Sequence, residues 1–206
     1  MIEGFDEKFG PCNVKTIRVS NMTRAKETAN IIAQSLPESV IRAKPDENLN
    51  EGRPCHHIPG GRASERAVKQ TDECHDRIET AFKTYFYRAE PPSMEEHDTL
   101  KEKEENLGMC STQKKKDTNG DQDVTLKPHP QHEFEIIVCH ANVVRYFLCR
   151  ALQIPPETWL RLCTFNCSLT YLTVRPTGTV SCRMLGDIGH LGYEQSTFSM
   201  HHGFNW

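Results

Sequence analysis

Several absences narrow the reading of this 206-residue chain before any motif is weighed. It has no run of 18 or more apolar residues, so no segment reads as a transmembrane helix. It has no basic excess: 25 Lys and Arg stand against 28 Asp and Glu, and a net charge of −3 argues against nucleic-acid binding through a general positive field. Residues 1–13 lack the apolar centre of a secretory signal, and Glu3, Asp6 and Glu7 are unlike an acid-poor transit peptide. Nine cysteines include no Cys-x-x-Cys pair. Cys163 and Cys167 come nearest, with no spaced histidine pair to complete a zinc site. An odd, irregular set of this kind suggests reduced thiols, with Cys139 and Cys149 acting as small buried hydrophobes. His56-His57, His129 and His132 are loop residues of a kind that seldom converges on an ion, so no metal is expected.

What is present begins with Ile136-Ile137-Val138-Cys139-His140-Ala141-Asn142, a short buried strand that delivers a histidine to its carboxyl end. An amphipathic helix follows at once, with Val144, Phe147, Leu148, Ala151 and Leu152 at i, i+3, i+4, i+7 and i+8. This spacing aims an imidazole and the N–H groups of a helix N-terminus at one point, which suits a phosphate. The same pattern also fits a histidine that merely ends its strand and bonds a neighbouring carbonyl.

A second strand-helix unit runs from Val14–Val19 into Ser20-Asn21-Met22-Thr23-Arg24-Ala25-Lys26-Glu27-Thr28. Ala25, Ala29, Ile32 and Leu36 form one apolar stripe that Pro37 stops. Arg24 therefore falls in the first helical turn, where a cation opposes the helix dipole. A planar guanidinium gripping a phosphate explains the placement; a solvated surface arginine is the plain alternative.

Ser20-x-x-x-Arg24-Ala25-x-Glu27-Thr28, Leu49-Asn50-Glu51-Gly52 and Cys139-His140-Ala141, in this order and spacing, resemble three motifs of the histidine phosphatase superfamily, the phosphoglycerate-mutase-like fold. The likeness covers residues 14–90 and 134–190. Residues 139–146, 149–162 and Leu185-Gly186-Asp187-Ile188-Gly189 bring it closest to the superfamily's serine/threonine protein phosphatases. The resemblance implies an α/β, three-layer fold with a mostly parallel central sheet. It implies phosphate binding by Arg24, His140 and Ala141, and catalytic roles for His140 and Glu51, the latter protonating the leaving oxygen. It implies no metal or other cofactor, and phosphoserine or phosphothreonine proteins as substrates. It further implies a homo-oligomer in the intact protein and a mitochondrial, outer-membrane location.

One departure matters. The superfamily's nucleophile is a histidine in an Arg-His-Gly motif on a first strand, whereas here no histidine precedes His56 and Arg-His-Gly occurs nowhere. The expected fold is accordingly N-terminally incomplete, lacking that strand and any anchor, with residues 1–13 irregular and the chain inactive by itself. His56 and His57, just beyond Glu51, are the reserve candidates for a nucleophile. A non-catalytic remnant or phospho-dependent interaction module is the second reading. A small-molecule phosphatase or mutase is the third, since Arg53 alone adds a basic residue beside Glu51. Arg145 reads as a structural ion-pair partner outside the site.

The rest of the chain is uneven. A single domain is expected over residues 1–190, with a patternless tail at 191–206. Residues 67–88 read as a helix with Cys74, Ile78, Ala81, Phe82 and Tyr85 on one stripe. Residues 91–133, with Pro91-Pro92 and two charge runs, read as a disordered insertion. A short helix holds Trp159 and Leu160 after Pro155-Pro156. Ser168 to Val174 and Thr179 to Leu185 read as a hairpin around Arg175-Pro176-Thr177-Gly178.

Overall fold

Val14–Val19 forms the middle strand, β1, because both its faces find cover: Ile17 and Val19 are buried on one, while Arg18 on the other lies over the Tyr85 ring. The computed structural model describes residues 13–56, 64–86 and 133–197, together with Met94, Glu95, Asp98, Thr99 and Glu102. Helix α1, Thr23–Ala33, buries Ala25, Ala29 and Ala33. These small residues let the helix lie close on the sheet. It ends earlier than Pro37, because a proline ring clashes with the carbonyl four residues back, here Ala33, and disfavours the helical state of the residue before it. The chain unwinds through tighter bonds from Ser35 to Ile32 and from Leu36 to Ala33. Strand β2, Ile41–Arg42, is too short to show a period and has no counterpart in the sequence reading.

Helix α2, Glu65–Tyr85, starts on the Ser64 hydroxyl, which accepts from the Ala67 N–H. Strand β3, Phe134–Val138, pairs parallel with β1 through Ile17↔Ile136 and Val19↔Val138. The sheet order is β2-β1-β3, all parallel. Among the described residues β3 pairs with β1 alone. Helix α3, Ala141–Ala151, follows, and its buried arc is wider than the expected stripe, taking in Val143, Tyr146 and Cys149 as well as Phe147 and Leu148.

Two cores result. Ile17, Val19, Ala25, Ala29, Ala33, Val40 and Val138 pack between α1 and one sheet face. Leu49, Ile78, Ala81, Val143, Tyr146, Phe147 and Trp159 join α2 and α3, with Ile137 and Cys139 packed against them from the other face. This is a three-layer α/β arrangement. Glu79 on α2 ties the two helices together, accepting from Tyr146 Oη at 2.7 Å and from Arg150 Nε and Nη2 at 3.1 and 2.7 Å.

Pro156–Arg161 is a 3-10 turn that buries Trp159 and Leu160. Strands β4, Leu169–Val174, and β5, Val180–Asp187, form an antiparallel hairpin turned by Gly178 at φ +82. The seven described cysteines are free. No described helix is long and apolar enough to cross a membrane. The insertion expected over 91–133 falls almost wholly outside the described residues, though Met94, Glu95, Asp98, Thr99 and Glu102 are helical. Residues 1–12, His57, His129, His132 and 198–206 lie outside them too.

Candidate functional site

The carboxyl ends of the strands are stitched together by backbone bonds. Ser20 N–H donates to Val138 at 3.0 Å, Asp46 N–H to Val19 at 2.9 Å, and Asn21 N–H to Asp46 at 3.3 Å. Three segments remote in sequence thus end side by side: the start of α1, the turn after β2, and His140 at the start of α3. Asp46 caps the 3-10 turn Glu47–Leu49, its side chain accepting from the Asn48 N–H, and this turn delivers Asn50 and Glu51.

His140 is buried, and its Nε2 lies 2.8 Å from Ser20 Oγ. It ends its strand as sequence allowed, but on a hydroxyl rather than a carbonyl. Ser20 donates its one proton to Asn50 Oδ1 at 2.8 Å and accepts from the Met22 N–H at 3.2 Å. Toward His140 the serine oxygen can therefore only accept, which puts the imidazole proton on Nε2 and the lone pair on Nδ1. Burial, then the charges of Arg24 and Arg77, hold the ring down at about 4, so it is neutral near pH 7. His140 is also the N-cap of α3 and makes no side-chain cap bond there.

Glu51 comes to the same place. Its Oε1 accepts from the Gly52 N–H at 2.9 Å, and the Asn142 N–H in the first turn of α3 faces the carboxylate. Burial pushes the carboxyl above its usual value against those two amides and the charges of Arg24 and Arg145, which all pull it down. Arg24 is exposed at the start of α1 and acts electrostatically on both Glu51 and His140. Ala141 opens α3 beside them. The structure therefore brings Arg24, Glu51, His140 and Ala141 to one spot at the strands' carboxyl ends, where ligands bind in open α/β sheets.

Four contributors were not read from sequence. Ser20 and Asn50 set the His140 tautomer. Arg77, from the middle of α2, donates to the carbonyls of Asn50 at 2.6 Å and Glu51 at 2.7 Å and so holds the Glu51 segment in place. Its only sequence signal is a cation beside the apolar stripe. Arg145, set aside as an ion-pair partner, makes no carboxylate bond among the described residues. It donates to Asn142 Oδ1 at 3.1 Å, and its charge reaches Glu51. His56 is not in this cluster's network; it meets Asp72 Oδ1 at 2.7 Å on α2. No group of three or more metal-ligating side chains forms among the described residues.

An imidazole that can take up a proton at Nδ1, a carboxyl raised by burial, an exposed guanidinium and the amides at the start of α3 together can hold an oxyanion and pass a proton to it. Comparison with known proteins gives the family. The model of the histidine phosphatase superfamily (branch 1) matches residues 2–185. The chain is 38% identical over 181 residues to the serine/threonine-protein phosphatase Pgam5, mitochondrial, of Caenorhabditis elegans, covering 88% of this chain and 51% of that protein. It is 37% identical over 180 residues to its Homo sapiens counterpart, covering 87% and 49%. The chain thus spans about half the length of these curated relatives. Among solved structures, a phosphoglycerate mutase from Plasmodium falciparum is 31% identical with a TM-score of 0.51, covering 96% of this chain and 85% of that one.

Proposed function

The chain belongs to the histidine phosphatase superfamily, and from that premise we propose that the Arg24, Glu51 and His140 cluster is the phosphate-handling part of a serine/threonine protein phosphatase. The observation that carries the reading is the His140–Ser20–Asn50 relay at the N-terminus of α3, facing Glu51 and Arg24. A phosphoseryl or phosphothreonyl group sits against the α3 amides, with Arg24 and His140, protonated as the group binds, on its equatorial oxygens, where charge spreads in the transition state. A histidine nucleophile attacks phosphorus in line, the P–O ester bond breaks, and Glu51 gives its proton to the leaving oxygen. Water then attacks the phosphohistidine, Glu51 taking its proton. The raised Glu51 carboxyl suits the first of these roles. A mitochondrial setting, as in the relatives' names, belongs to the same reading.

These 206 residues contain no Arg-His-Gly motif, and among the described residues the cluster itself offers no second histidine to act as the nucleophile. By themselves they bind phosphate without turning it over. This favours a second reading, a phosphate-dependent interaction module, for the chain in isolation. The mutase likeness supports a third, in which a small phosphorylated acid is the ligand.

The test uses the 206-residue polypeptide and a phosphoserine peptide. The expected result is measurable binding but no hydrolysis, since loss of a nucleophile leaves only about 10³–10⁴-fold over water. Fusion to a strand carrying Arg-His-Gly should restore turnover, and His140→Ala in that fusion should abolish it. Robust hydrolysis by the bare chain would overturn the assignment and point to His56 or His57. Preference for 3-phosphoglycerate over the peptide would favour the third reading.

A further inference from the structure

Arg53 is only 6% exposed, yet its Nε and Nη2 have no hydrogen-bond partner among the described residues. Burial pulls its guanidinium below the usual arginine range, with no charge among the described residues to offset the loss of water. A buried ionised group without bond or counter-charge is costly, and buried donors in folded proteins nearly always have partners. Packing holds this one in place. Its Cζ lies 5.6 Å from the ring centroid of Trp159, which is itself fully buried.

The two orphaned atoms are adjacent donors along one edge of the guanidinium, the edge that meets a planar oxyanion through two parallel bonds. Arg53 stands two residues past Glu51, at most about 7 Å of chain away. Its backbone is anchored, because Arg77 holds the Glu51 carbonyl just before it and His75 Nδ1 lies 2.6 Å from the Pro54 carbonyl just after.

Resting on the phosphatase reading above, we infer that Arg53 forms a second anion subsite beside the phosphate site, which takes the carboxylate of an Asp or Glu next to the phosphorylated residue of the substrate. One fork edge with one positive charge matches one carboxylate. A second phosphate dianion would leave a net negative charge in a buried place.

Two phosphoserine peptides that differ only in Glu or Ala at the flanking positions test this. They are titrated into the 206-residue chain and into Arg53→Gln and Arg53→Lys, by calorimetry and by tryptophan emission. The acidic peptide should bind the unaltered chain about tenfold more tightly, as a charge-assisted bidentate contact requires. Arg53→Gln should cancel the advantage, and Arg53→Lys, which keeps the charge without the fork, should retain only part of it. Removing an uncompensated buried charge should not lower the melting temperature. Equal affinity of the unaltered chain for both peptides, or an advantage that survives intact in both variants, overturns the subsite and leaves the phosphatase reading standing. Failure of both peptides to bind, with Arg24→Ala no different from the unaltered chain, overturns that reading and the subsite together.

Discussion

His140 Nε2 and Ser20 Oγ meet at 2.8 Å across two strand ends 120 residues apart in sequence. Because Ser20 sends its proton to Asn50, this contact decides which imidazole nitrogen carries hydrogen and which can receive one. The consequence falls on the ligand. A phosphate dianion meets a lone pair at Nδ1 rather than an N–H, and is repelled unless a proton enters the complex.

Phosphate binding should therefore take up one proton. Free His140 titrates at about 4, and a bound dianion raises that value. Between the raised value and the ester's own second pKa of about 6, affinity should rise by up to tenfold for each unit that pH falls, then level off. Calorimetry in two buffers of different ionisation enthalpy reads the proton count. Ser20→Ala frees the opposite tautomer, which can donate to the dianion directly, so its pH dependence should be flatter. A wild-type affinity that does not change from pH 6 to 8 would contradict this account.

The same histidine should govern part of the acid sensitivity of the fold. Its folded value of about 4 lies below the ordinary 6.5, so between those values the unfolded chain holds a proton that the folded chain does not. Stability is thus unimpaired above pH 6.5 and declines as pH falls toward 4, by about 3 kcal/mol in all. Urea unfolding at pH 7.5 and 5 should show that slope reduced in His140→Asn.

Gly52→Ala should destabilise the chain by about 1–3 kcal/mol through overpacking. An added Cβ would lie 2.5 Å from Arg77 Nη2 and 2.9 Å from Cys74 Cβ. The guanidinium is pinned on the Asn50 and Glu51 carbonyls and the cysteine on its helix, so neither can move cheaply. Urea midpoints measure the cost, and phosphate affinity should fall with it because Glu51 shifts.

Glu79→Gln should cost about 2–3 kcal/mol, less than a fully buried pair because Arg150 is partly in solvent. Burial opposes ionisation of Glu79, but hydrogen bonds from Arg150 and Tyr146 and the charges of Arg150 and Lys83 outweigh it and hold the carboxyl below its usual range. The ion pair contributes above the ordinary carboxylate value and is lost as pH falls through the depressed one. The difference between wild type and variant should shrink in acid, as urea unfolding at pH 7 and pH 3 would show.

Much of this molecule was legible as local pattern. The strand-like run Val14–Val19, the apolar stripe of α2 and the Arg175–Gly178 turn each specify their element within a few residues, since backbone bonds, side-chain period and turns are short-range properties, although the helix start at Glu65, capped by Ser64, fell two residues before the expected 67. Arg24 and His140 were named for the same reason, one at a helix start and one at a strand end, where junctions leave a local signature, and the motif resemblance added Glu51. Only tertiary structure decided what those residues became. The two residues of β2 carry no period, and their pairing depends on β1 already being in place. Arg77 acts on the Asn50 and Glu51 carbonyls 27 and 26 residues away, and the His140 proton is placed by Ser20 across the sheet. Sequence shows Arg53 only as a basic residue beside Glu51; the fold sets it over the ring of Trp159 and buries its fork. Burial, tautomer and counter-charge are properties of what surrounds a side chain, and those surroundings come from segments the chain brings together only when it folds.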